Sequence, residues 1–109
     1  RREAEGPWNY GGETAGLHAS VLPWLKERDI AILGGDAVAD VQPSGVDQHN
    51  RPIHDMLIPM WGTPTIDNGY YLEVAEVAAR LQRWEFMVSW TMMQIPNGTA
   101  TPFMGLATF

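Results

Sequence analysis

The sequence predicts a mixed α/β fold built from layers of helix and sheet. Apolar residues recur at helical spacing in three segments, and four other segments show the short apolar runs or period-two alternation of strands. Their order along the chain is helix, strand, helix, strand, helix, strand, strand. Because helix and strand signals alternate, we expect the two kinds of element to pack on one another around a shared core.

The first helix and the first strand are predicted to be short. Ser20 is expected to cap a helix that tolerates Pro23 in its first turn. The apolar run at 30–33 ends at two glycines, which indicates a short buried strand. Asp36 follows at the carboxyl end of that strand, where open α/β sheets place functional groups, although a carboxylate that caps backbone amides fits equally well. Residues 37–51 lack periodicity and are predicted to be a loop.

The second helix is predicted from one apolar face. Residues at helical spacing form this face: Ile53, Met56, Leu57, Met60 and Trp61. Pro59 lacks a backbone donor and pushes on the preceding turn, so the helix should kink or end near Ile58. Gly62 is the predicted stop, and 63–66 should form a short strand.

The last part of the chain is predicted to form a helix and two strands. The apolar face of the helix consists of Val74, Val77, Ala78 and Leu81. From Phe86 the period changes to two, so a long strand should run towards Pro96, with its Met and Trp side chains in the core. The tail at 104–109 could add a last strand.

Composition indicates a globular chain of one domain or part of one, over residues 1–109. The apolar share is 45%, and five Trp and six Met supply bulky side chains for a core. The net charge of −6, with seven Lys and Arg, argues against nucleic acid and anionic membrane as partners. With no Cys, a metal site in this chain must use His and carboxylate ligands.

Several sequence signals for location and chemistry are missing. The chain shows no signal peptide and no apolar run long enough to span a bilayer, so we expect a soluble, cytoplasmic protein. It begins without Met, and we expect it to be the C-terminal part of a longer polypeptide. A phosphate-binding glycine loop, a dinucleotide fingerprint and a Gly-x-Ser-x-Gly elbow are all missing from the sequence, which disfavours nucleotide and serine-hydrolase chemistry.

His54 and Asp67 lie at the two ends of a helix-turn-strand unit and suit half of a metal site. Imidazole and carboxylate bind zinc, manganese and iron(II), and a catalytic ion usually takes three or more protein ligands. The remaining ligands would come from elsewhere. By sequence alone His54 is also an ordinary helix-start histidine, and Asp67 with Asn68 is also a turn. His18 is either a helix-start residue or a pocket residue that contacts substrate, and His49 is expected to be solvated.

An ordered set of short motifs spans nearly the whole chain. They are Gly-Leu-His-Ala-Ser (16–20), Pro-Trp-Leu (23–25), Glu-Arg-Asp-Ile-Ala (27–31), Leu-Gly-Gly-Asp (33–36), Pro-Ser-Gly-Val (43–46), Pro-Ile-His (52–54), Ile-Asp-Asn (66–68), Arg-Trp-Glu-Phe (83–86) and Pro-Asn-Gly-Thr-Ala-Thr-Pro (96–102). This set resembles the metal-dependent cyclase family, which includes kynurenine formamidase and isatin hydrolase. The resemblance implies a cyclase-like swivelling β/β/α fold, present here as its C-terminal half.

The resemblance also implies a site. His54 and Asp67 would be the minor set of ligands for a manganese or zinc ion, and His18 and Thr101 would contact substrate. The catalytic histidine and most ligands belong to a signature, His-x-Gly-Thr-His-x-Asp-x-Pro-x-His, that lies upstream in the family and is not in this sequence. This chain departs from the family pattern where relatives carry Glu in place of Asp67, and where Met104 and Gly105 replace Asn-Pro.

Two function classes follow from these observations. The first is a metal-dependent hydrolase of a small amide, lactam or lactone, assembled with the N-terminal half of the same protein and expected to be a homo-oligomer. Metal-activated water would attack the substrate carbonyl. The second is a non-catalytic α/β interaction module or inactive homologue, in which His54 and Asp67 are structural.

Overall fold

The structure is a computed structural model that describes Gly6 and residues 12–109. Its helices and strands follow the predicted order, so the mixed α/β class is confirmed at this coarse level. The chain divides into two compact units, Arg1–Asn68 and Gly69–Phe109. Within the described residues, no helix is long and apolar enough to cross a membrane.

The first unit contains two short helical segments and a pair of parallel strands. A 3-10 turn, Ala19–Val21, leads directly into helix α1, Leu22–Glu27. Strand β1 is Leu33–Gly34, helix α2 is Pro52–Asp55 with a π-helical continuation at Met56–Trp61, and strand β2 is Thr65–Ile66. The second unit contains helix α3 (Leu72–Leu81) and strands β3 (Met87–Met92) and β4 (Phe103–Thr108).

Strands β1 and β2 are shorter than the predicted runs. They pair in parallel over two residues each, with Leu33 opposite Thr65 and Gly34 opposite Ile66. The amide of Leu33 donates to the carbonyl of Pro64 at 3.2 Å, and Pro64 has no amide hydrogen to continue the ladder in that direction. The prediction of a strand over 30–33 was therefore too long because its partner stops at a proline.

The core of the first unit lies between α1 and the second helix. Leu25, Ile53 and Leu57 are buried and in mutual contact. Partly buried apolar side chains surround them, namely Val21, Leu22, Ile30, Leu33, Ala39 and Trp61. Complete burial of a side chain such as Leu57 stabilises a fold by about 1.5–3 kcal/mol. This packing fixes the face of α2, and therefore the direction in which its other side chains point.

The second helix does not end near Ile58, and this half of the prediction is wrong. The helix continues past Pro59 to Trp61, but from Met56 it has π geometry. A wider turn accommodates a proline, whose ring would clash with the carbonyl four residues earlier in an α-helix. Gly62 ends the helix as predicted, in the left-handed region at φ 68°, and its amide donates to the carbonyl of Ile58 at 3.2 Å.

The start of the first helix also differs from the prediction. Ser20 lies inside the 3-10 turn, and the capping residue is His18, whose Nδ1 accepts from the amide of Ser20 at 3.2 Å. An imidazole nitrogen replaces the expected serine hydroxyl because the turn begins two residues earlier than the apolar pattern indicates.

The second unit ends in an antiparallel hairpin. Strands β3 and β4 pair from Met87 opposite Thr108 to Met92 opposite Phe103. The expectation that its Met and Trp side chains form a core is wrong, because both faces are exposed, with Met87 on one face 62% and Trp90 on the other 43% accessible. Among the residues that the structure describes, each strand of the hairpin has one neighbour, and a two-stranded sheet does not bury its own faces.

Candidate metal centre

A buried carboxylate organises the start of helix α2. Asp40 is fully buried, and its Oδ1 accepts from the amide of Ile53 at 2.6 Å while its Oδ2 accepts from the amide of His54 at 3.3 Å. These amides belong to the first turn of the helix, where backbone donors have no helical partner. Arg51 precedes the helix and makes no side-chain capping bond among the described residues. Asp40 thus caps α2 from a distant loop.

The loop that carries Asp40 is held on its other side by the segment at 14–17. Leu17 donates its amide to the carbonyl of Ala39 at 2.7 Å and accepts from the amide of Val41 at 3.1 Å. Gly16 lies so close that a Cβ at this position would collide with the carbonyl carbon of Asp40. The position of the Asp40 carboxylate is therefore set by backbone contacts on both sides of the loop.

The His54 ring lies between two carboxylates. Its Nδ1 is 2.5 Å from Oδ2 of Asp40, and its Nε2 is 2.7 Å from Oδ2 of Asp67. Asp67 directly follows β2, and its Oδ1 accepts from the amide of Ala39 at 3.0 Å. The accessible fraction of the side chain is 1% for Asp40, 15% for His54 and 27% for Asp67. The expected meeting of His54 and Asp67 is found, and Asp67 forms the more open end of the site.

The two carboxylates raise the pKa of His54 above its ordinary value of 6.5. Burial acts against this, because it disfavours a charged imidazolium and lowers the pKa. The hydrogen bonds to Asp40 and Asp67 and the negative charges of both carboxylates act in the opposite direction and outweigh burial. A protonated ring can donate from both nitrogens at once, which satisfies both contacts.

A neutral His54 ring cannot satisfy both contacts. Neutral imidazole has one N–H donor and one nitrogen lone pair. If Nδ1 donates to Asp40, the lone pair of Nε2 faces a carboxylate oxygen at 2.7 Å, and the two acceptors repel each other. A positive charge between Nε2 and Asp67, either a proton or a metal ion, removes this repulsion. A proton on Nε2 alone is enough to satisfy the contact with Asp67.

The donor set fits half of a divalent-metal site. Zinc bonds to imidazole nitrogen and carboxylate oxygen are about 2.0–2.2 Å long, which separates two ligands of a tetrahedral ion by roughly 3.4 Å. Nε2 and Oδ2 are 2.7 Å apart, so they would have to move apart by a few tenths of an ångström to hold one ion. Asp40 lies on the opposite edge of the ring and does not converge on the same point. The part of the chain that the structure describes holds no group of three or more His, Cys, Asp or Glu that could bind a metal. Any further ligands would have to come from residues that the structure does not bring to His54 and Asp67.

Two other predicted contact residues have local partners. Nδ1 of His18 is 3.0 Å from the hydroxyl of Ser20, which agrees with the helix-start interpretation. Thr101, in the second unit, accepts from the amide of Met93 at 3.1 Å through Oγ1 and joins the ends of the hairpin. Their contact with substrate stays a prediction. His49 is exposed, as expected.

Asp40 is the site residue that the sequence analysis did not identify. It lies in the segment that is predicted to be a loop for lack of periodicity, and its helix partners, Ile53 and His54, are more than ten positions away. One signal was present in the sequence. Asp40 lies between Ala39 and Val41 in a run of small apolar residues at 37–41, and a carboxylate in such a run must find a partner if it is buried.

Comparison with known proteins adds no family to this geometry. The chain matches no model of a known protein family, no curated protein and no solved structure. The resemblance to the cyclase family therefore stays a prediction, and the site is interpreted from its own residues.

Proposed function

We propose that this chain supplies part of the metal site of a metal-dependent hydrolase of the cyclase type, which acts on a small amide, lactam or lactone. The observation that carries the proposal is the contact between Nε2 of His54 and Oδ2 of Asp67, in which two ligand-type atoms face each other at 2.7 Å. Manganese and zinc are the ions that imidazole and carboxylate ligands suit.

In this proposal each residue of the site has a distinct role. His54 and Asp67 hold the ion together with ligands from the N-terminal half of the same protein. When bound, the ion lowers the pKa of a water molecule and polarises the substrate carbonyl. The second oxygen of Asp67 is bound to the amide of Ala39, so this carboxylate is already oriented before an ion arrives. Such orientation reduces the free energy lost on ordering the ligand.

The exposed hairpin supports the part of the proposal that concerns assembly. An isolated two-stranded hairpin is marginally stable in water, and β3 and β4 expose large apolar side chains on both faces. We propose that the N-terminal half of the protein covers part of this surface and completes a cyclase-like swivelling β/β/α fold, and that the complete protein is a homo-oligomer.

A second function is favoured by the closed hydrogen bonding of the site. Among the described residues no buried side-chain nitrogen or oxygen lacks a partner, and a protonated His54 satisfies both carboxylates without a metal. In that case the triad of Asp40, His54 and Asp67 is a structural clamp that joins the loop, α2 and β2. The chain would then be an interaction module or an inactive homologue.

Metal titration of the 109-residue chain separates the two functions. We expect zinc or manganese to bind weakly and to shift the NMR signals of the His54 ring, because two ligands hold an ion less firmly than three or four. His54→Ala and Asp67→Ala should abolish this binding. His49→Ala is the matched control, since His49 is exposed and pairs with Asp55 at 3.5 Å. If the ions shift the ring of His49 and not that of His54, the clamp is the correct function.

A further inference from the structure

We propose that Asp40 is a positioning residue that sets the tautomer of His54, so that Nδ1 carries the proton and Nε2 presents its lone pair to a cation beside Asp67. This inference rests on the proposed function in one respect, namely that a metal ion is the cation. The tautomer itself follows from the surroundings of the ring and can be measured without a metal.

The Asp40 carboxylate cannot turn away from the ring. It is fully buried, and both of its oxygens are held by backbone amides, Oδ1 by Ile53 at 2.6 Å and Oδ2 by His54 at 3.3 Å. An ionised carboxylate only accepts hydrogen bonds. The atom that faces it at 2.5 Å, Nδ1 of His54, must therefore carry a hydrogen.

The two ends of the ring differ in their access to water. The side chain of Asp67 is 27% accessible, whereas that of Asp40 is 1% accessible. If the Nε2 proton leaves, water or a cation can approach the Asp67 oxygen. If the Nδ1 proton leaves, a buried carboxylate faces a lone pair with no replacement donor, which is costly. Nε2, on the side of Asp67, is therefore the ring nitrogen that can present a lone pair, whereas Nδ1 faces the buried acceptor.

A purely structural role for Asp40 makes a different prediction. If Asp40 only caps α2, an asparagine serves equally well, because Asn and Asp are equivalent helix caps. The positioning role does not tolerate asparagine. In Asp40→Asn, with the amide oxygen on the backbone N–H of Ile53, the side-chain NH2 would occupy the place of Oδ2. It would donate towards Nδ1 of His54, which then has to be unprotonated.

The deciding variant is thus Asp40→Asn, which preserves the shape and the cap bond from the amide of Ile53, loses the longer bond from the amide of His54, and reverses the polarity towards the ring. We expect nitrogen NMR of the neutral His54 ring, in the metal-free chain, to show the Nδ1–H tautomer in the unmodified protein and the Nε2–H tautomer in Asp40→Asn. Asp55→Asn is the matched control, because it removes one negative charge from the same helix but its carboxylate pairs with His49. It should retain the Nδ1–H tautomer.

Zinc binding provides the second readout. Loss of the group that orients a histidine ligand typically weakens metal binding by about 10–100-fold, so Asp40→Asn should bind zinc that much more weakly than Asp55→Asn. Circular dichroism identifies whether Asp40→Asn folds. If it does not fold, the tautomer of the unmodified protein still decides, because an Nε2–H ring there overturns the inference.

The outcomes also separate this inference from the proposed function. An Nδ1–H ring in a protein that binds no zinc at His54 supports the positioning role and contradicts the metal site. An unchanged tautomer in a folded Asp40→Asn protein overturns the positioning role, whatever its zinc affinity.

Discussion

Asp67 uses one oxygen for His54 and the other for the amide of Ala39, and substitution can separate these two contacts. Asp67→Asn keeps an acceptor for Ala39 but loses the negative charge, so we expect zinc binding to be lost while most of the stability remains. Asp67→Ala removes both contacts and should lower the free energy of unfolding by about 1–3 kcal/mol. Urea unfolding measures the change in the free energy of unfolding, and the zinc-induced change in Tm measures zinc binding. Undiminished zinc binding by Asp67→Asn would contradict the ligand role.

His54 should make the stability of the metal-free chain depend on pH. Its pKa is raised in the folded state above the ordinary value of 6.5, so the stabilisation is fully present below pH 6.5 and is lost as the pH rises through the folded-state pKa. Urea unfolding with a chelator present should show this loss in the unmodified chain. His54→Gln should not show it, although His18 and His49 remain. An equal pH dependence in both proteins would contradict the assignment.

At the scale of elements, the contact between the segment at 14–17 and the Asp40 loop holds the site in place. Gly16→Ala puts a Cβ against the backbone of Asp40, where rigid atoms must shift, and we expect a loss of about 1–3 kcal/mol in unfolding free energy. Because Asp40 moves with that backbone, the ring of His54 should also lose its fixed orientation. Gly12→Ala is the control, since nothing lies within 4 Å of its Cβ position. Equal stability of the two variants would show that the Asp40 loop can shift at little cost in free energy, which would contradict the prediction.

The order of the elements could be predicted from local patterns, because an apolar face at helical spacing or a period-two run is a property of neighbouring residues. The lengths of β1 and β2 could not, because they depend on Pro64 in the partner strand. The π geometry at Pro59 depends on how the whole turn relaxes. Likewise, His54 and Asp67 could be paired through their spacing together with the resemblance to the cyclase family, but Asp40 could not, because its role is created by tertiary contacts.

At the scale of the whole molecule, the proposed metal site would have two of the ligands that a catalytic ion usually requires. We therefore expect the 109-residue chain to hydrolyse no N-formyl aryl amine in the presence of zinc or manganese. A protein that also contains the proposed N-terminal half should take up the ion with stoichiometric affinity and turn over the substrate. Release of the free amine, followed by absorbance, measures this. Turnover by the 109-residue chain would refute the proposed division of the site.

The hairpin has a consequence for the behaviour of the chain in solution. Every charged residue lies at or before Glu85, so the net charge of −6 is segregated from the uncharged sequence that forms β3 and β4. Exposed apolar strand edges without charges are prone to self-association, and mutual repulsion between acidic chains opposes it. At an ionic strength of 1 M the Debye length falls to about 3 Å, and this repulsion is screened. Sedimentation should therefore show larger species as salt is added, the reverse of an association held together by ion pairs.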